Sequence, residues 1–121
     1  MHRQSKPTDE QIELIKKLDK LKFDIWESNS TNEIIVIGKK AIDLSKNVAP
    51  TTYILTNGTK MINNKGKQLT LEVLANDIQS LENKAYTTID DEKFAVVSSL
   101  QLLIGVFAHL SAEDLIKVLR E

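Results

Sequence analysis

Residues 50–66 read PTTYILTNGTKMINNKG, and the conformation of this stretch separates an all-α molecule from an α+β one. Asn57-Gly58 between β-favouring runs is a strong short-range hairpin signal, and the threonines point the same way. A two-residue turn there sets Ile54 opposite Met61 and Tyr53 opposite Ile62, which leaves apolar residues on both faces. A lone hairpin is also marginal without a third strand. As a helix, Thr51, Ile54, Leu55, Gly58, Met61 and Ile62 share one stripe, with Pro50 in the first turn and Gly66 as the C-terminal cap. The helix absorbs more of the pattern. The expected fold is therefore an all-α, compact bundle of five to six helices, with Phe94–His109 as its central helix. The alternative is α+β with a small hairpin around Asn57-Gly58.

The flanking segments support helices at 9–27, 31–47, 70–86, 89–109 and 112–120. Hydroxyl residues followed three positions later by Glu, Gln or Asp stand before several of them: Thr8 with Gln11, Ser30 with Glu33, Thr88 with Asp91, and Ser111 with Asp114. Each hydroxyl can cap an orphan N–H, and the later residue sits in the electropositive first turn. In 9–27, Leu14, Leu18, Leu21 and Ile25 form one stripe, while Glu13 with Lys17 and Lys20 with Asp24 mark a solvated face. In 31–47 the apolar residues gather on one half of the wheel, with Val36 misplaced. In 70–86, Leu71, Leu74, Ala75, Ile78, Leu81 and Ala85 make the stripe, with Leu69 positioned to staple against Leu74.

The most apolar run, FAVVSSLQLLIGVFAHL at 94–110, is shorter than the ~20 residues a bilayer span needs, and it contains polar residues. No membrane span is expected. On a helical wheel Ser98, Gln101, Gly105 and His109 align as one seam. That seam is read as a solvent-exposed edge, with a helix–helix contact, including a homodimer seam, as the second reading. A catalytic or ligand-binding His109 is the third.

Composition narrows the function classes. Sixteen Lys and Arg against 17 Asp and Glu give a net charge of −1, so no strong positive field draws nucleic acid or an anionic membrane. No cysteine is present, which excludes disulfides, thiolate metal sites and a Cys nucleophile, and is compatible with a cytoplasmic location. The basic start MHRQSKP is not followed by an apolar segment, so residues 1–7 are expected to be a flexible N-terminal tail and 8–121 a single helical domain. Two histidines, His2 and His109, supply too few soft ligands for zinc or haem, and no cofactor is expected. Asp90, Asp91 and Glu92 read as dipole partners at a helix start, and Lys65-Gly66-Lys67 as a basic turn rather than an anion site.

Ile12, Phe23 and Trp26 lie off the main stripe of the first helix. Two apolar stripes on one helix read first as burial on two sides, and second as one side offered to a partner. On that second reading these three are the candidate partner-binding residues, because Trp is a favoured interface anchor. The expected function is a small non-enzymatic protein that binds another protein, of inhibitor, toxin-immunity or adaptor type. One alternative is a nucleic-acid-binding regulator using the helix from Thr70, although Glu72, Asp77 and Glu82 on that helix repel phosphate. Another is a small enzyme using His109.

Overall fold

The computed structural model describes residues 2–4, 7–107 and 120. In chain order these form β1 (His2–Gln4), α1 (Asp9–Glu27), α2 (Thr31–Ser45), β2 (Thr52–Leu55), β3 (Lys60–Ile62), α3 (Asn64–Glu82) and α4 (Ile89–Phe107). The described chain is mostly helical, with one antiparallel sheet of order β1-β2-β3. Among the described residues α1 packs on α2 and α4, α3 packs on the same two helices, and α2 meets α4 across the middle, whereas α1 and α3 do not touch.

The core follows the stripes. Leu14, Leu18, Leu21 and Ile25 of α1 are all buried, as are Ile34 and Ala41 of α2, Leu74, Ile78 and Leu81 of α3, and Val96, Leu100, Leu103 and Phe107 of α4. At roughly 1.5–3 kcal/mol per fully buried large side chain, this cluster is the main favourable term in folding. Gly38 lets α2 and α3 approach closely: a Cβ at this position would lie 2.9 Å from Cδ1 of Ile78.

Residues 50–66 are not a helix. β2 and β3 pair with Thr52 opposite Ile62, Tyr53 opposite Met61 and Ile54 opposite Lys60. The connecting loop has three residues, Thr56-Asn57-Gly58, because Gly58 N–H donates to Leu55 O and Leu55 N–H to Thr59 O. Gly58 holds the left-handed conformation (φ 85°) that closes such a loop. The register is therefore one residue off that of a two-residue turn, so Ile54 does not face Met61.

The objection that a lone hairpin is marginal fails because a third strand exists. His2–Gln4, expected within a flexible tail, pairs antiparallel to β2, with Arg3 opposite Ile54. Met61 and Ile62, assigned to a buried helical stripe, are exposed.

The described residues hold four helices rather than five or six, since the hairpin replaces one and residues 112–119 lie outside them. α3 begins at Asn64, six residues before the expected start. Asn63 caps it by accepting from Gly66 N–H at 3.2 Å, so Gly66 lies in the first turn instead of ending a helix. Leu69 is inside α3 and exposed, so it is not a staple. Three of the expected caps form: Thr8 with Gln11 as a complete box, Ser30 with Glu33 N–H, and Thr88 with Asp91 N–H. The Ser111 pair lies outside the described residues.

Candidate interaction surface

Helix α1 carries the first candidate residues. Ile12, Phe23 and Trp26 occupy one flank, since positions eleven and fourteen residues apart return to nearly the same side of a helix. Phe23 is 60% exposed and Trp26 46% exposed, while Ile12 is half-buried. The flank borders α4. Lys22 Nζ donates to Gln101 Oε1 at 2.6 Å, and Lys93 Nζ donates to the Trp26 carbonyl at 2.9 Å. Lys22 also pairs with Asp19 at 3.2 Å. Trp26 is thus held by its backbone while much of its ring faces water.

Helix α4 carries the second set. Ser98, Gln101 and Gly105 are all exposed, and no other described helix covers them. A methyl group at Gly105 would meet no described atom within 4 Å. His109 lies outside the described residues. Phe94 (68% exposed) and Leu102 (59% exposed) share this outward face, which contains no charged residue between Phe94 and Phe107.

The α3 side of α4 is tied by Ser99, whose hydroxyl donates to Asp77. Burial pushes the Asp77 carboxyl above its ordinary value, and the Ser99 bond partly opposes this. Burial likewise raises Tyr86, and the Asp77 carboxylate adds to the shift. Leu69 and Val73 precede Asp77 at four-residue steps, so they run along the same side of α3, and both are exposed.

Two acidic residues do different work from what their sequence neighbours suggest. Glu92 is buried and accepts from Thr31 Oγ1, 2.7 Å to the nearer oxygen, which joins the starts of α2 and α4. Glu33 accepts from the Ser28 hydroxyl at 2.7 Å instead of closing a box with Ser30. A groove of about 490 Å³ opens beside Glu92, lined also by Ile35, Leu81, Lys84 and Tyr86. Lys67 is likewise committed. Its ammonium donates to Lys46 O (2.8 Å) and Val48 O (2.9 Å) past the end of α2 and stands 6.0 Å from the Phe107 ring centroid. Burial lowers its pKa.

The two ends differ in charge balance: the end where α4 begins carries Asp24, Glu27, Glu33, Asp90 and Asp91 with Lys84 and Lys93, and the hairpin end carries Lys46, Lys60 and Lys65 with Asp9, Glu10 and Asp43. No helix among the described residues is long and apolar enough to cross a membrane. The chain matches no protein-family model, and comparison with curated proteins and with solved structures gives no match.

Proposed function

We propose that this chain is a small non-enzymatic protein that acts in the cytoplasm by binding another protein, as inhibitors, toxin-immunity proteins and adaptors do. The observation that carries this reading is the exposure of Phe23 and Trp26 on one flank of α1, next to half-buried Ile12. Exposed aromatics fixed to a rigid helix offer large contact area with little side-chain entropy to lose. Lys93, bonded to the Trp26 carbonyl, holds that helix end in place.

The test is affinity purification of the tagged chain from its native host, with mass spectrometry, alongside Phe23→Ala and Trp26→Ala. A partner retained by the wild-type chain and lost from both variants, with thermal melts nearly unchanged, supports the reading. If the variants lose stability in proportion to capture, the two aromatics serve the fold, and the flank is not a docking surface.

A further inference from the structure

We infer that the outward face of α4 is the interface for a second copy of this chain, packed antiparallel with Phe94 of each copy over Gly105 of the other. The inference stands on α4 and does not depend on the α1 flank.

Size complementarity sets the register. In an antiparallel helix pair, one two-fold axis relates all facing positions. The axis that sets Phe94 opposite Gly105 of the second copy also sets Ser98 opposite Gln101. Phe94 projects from the face, and no described atom fills the space above Gly105. Each large ring therefore has a hole to enter, twice, by symmetry. Gln101 Oε1 is engaged by Lys22, which leaves its amide nitrogen to donate to the Ser98 hydroxyl of the second copy. Leu102 stands at the rim of the face.

Area and charge agree with this occupant. Phe94 and Leu102, with Leu69 and Val73 of α3 beside them, expose on the order of 400 Å² of side chain, which the polar seam extends toward the ~800 Å² per partner of a specific interface. Antiparallel packing also brings Asp90 and Asp91 of one copy toward the hairpin end of the other, where Lys60 and Lys65 lie. Opposite charges at both rims favour this orientation over the parallel one, in which like ends would meet.

The test uses the full chain, and its lack of cysteine makes cross-linking clean. Sedimentation should show a dimer at high micromolar concentration, weaker in high salt, and a monomer for Phe94→Ala with an unchanged melt. Phe94→Cys and Gly105→Cys chains should each fail to cross-link with themselves, because the same position recurs about 16 Å away along the axis. Mixed under oxidation, the two should form one heterodimeric disulfide, since the facing Cα atoms come within bonding range. A chain that stays monomeric overturns the inference, and so does a dimer indifferent to Phe94→Ala or one that cross-links only position 94 to position 94. A monomer whose Cys at 94 is shielded from a maleimide also overturns it, because the chain's own residues beyond Phe107 then cover the face.

Discussion

At the residue scale, two glycines in helices respond oppositely to the same substitution. Replacing a mid-helix glycine with alanine gains about 1 kcal/mol of helix propensity. At Gly38 the added methyl runs into Ile78, which is itself buried and has little room to move, and overpacking of this kind costs about 1–3 kcal/mol. Gly38→Ala is therefore expected to lower stability by about 1 kcal/mol, net of the propensity gain. Gly105→Ala meets nothing and is expected to raise stability by up to about 1 kcal/mol. Urea denaturation in a Phe94→Ala background measures both without interference from association. A gain at Gly38 would show that α2 and α3 separate easily. Asp77 adds a dependence on pH. Its folded value is raised by burial, so the folded chain holds this proton more tightly than the unfolded chain does. Its contribution to stability therefore grows as pH falls from the raised value toward the ordinary 3.8, and levels off below that. Asp77→Asn keeps an acceptor for Ser99 and removes the titration. The wild-type urea midpoint should climb more than the variant's across that interval, and parallel profiles would contradict the assignment.

At the element scale, Gln11 shows which parts of the fold can be read from sequence. Its box with Thr8 was legible because both partners are three residues apart and local chemistry suffices: Thr8 N–H donates to Gln11 Oε1 at 2.9 Å, and Gln11 N–H to Thr8 Oγ1 at 3.1 Å. Its second role was not. Nε2 donates to the carbonyls of Ala49 and Pro50 at 2.8 and 3.1 Å, far along the chain, and no periodicity encodes that. Gln11→Ala removes the side-chain half of the box and strands carbonyls in a largely buried setting, an expected loss of about 2 kcal/mol by thermal or urea melt. Gln11→Glu preserves the box but cannot donate, so it should remain clearly destabilised. The start of α3 is not legible from hydroxyl caps, because Asn63, an equally good cap, opens the helix six residues before Thr70. The hairpin was missed because its helical stripe looked coherent and its third strand lay at the other end of the chain. Deleting residues 2–4 should leave the helical melt intact while lowering amide protection in 52–55, read by hydrogen exchange. Unchanged protection would mean that the hairpin stands without β1.

At the scale of the whole molecule, the bundle was readable and its surface was not. Stripes on α1, α2 and α3 placed most core residues correctly, since burial on one face is what produces the pattern. The polar seam of α4 marked its outward side, but the exposure of Phe94 and Leu102 beside that seam escaped because their apolar character alone argues for burial. The charge balance of −1 was read as an absence of field, and the composition alone does not reveal that folding gathers Asp90 and Asp91 at one end and Lys60 and Lys65 at the other. For the candidate site, the off-stripe position of Phe23 and Trp26 fitted burial on a second side of α1 as well as a presented surface, and only the packed bundle shows them exposed. Their adjacency to α4 depended on Lys22 and Lys93 reaching across, which spacing along one helix does not reveal.

The sheet has a consequence for the order of folding. The contacts of α1 with α2, α2 with α3, and α3 with α4 join neighbours in sequence, whereas β1 with β2 joins position 2 to position 55 and α1 with α4 spans farther still. The strands are short and β3 is exposed throughout, so the sheet buries little and is expected to close after the bundle has passed its barrier. Gly58→Ala, which forces a side chain into a left-handed turn at a cost of about 1 kcal/mol, should then speed unfolding and leave refolding unchanged in stopped-flow measurements. A slower refolding limb would place the hairpin in the nucleus. With the sheet forming last, it opens first, and its lifetime sets how quickly the chain begins to come apart.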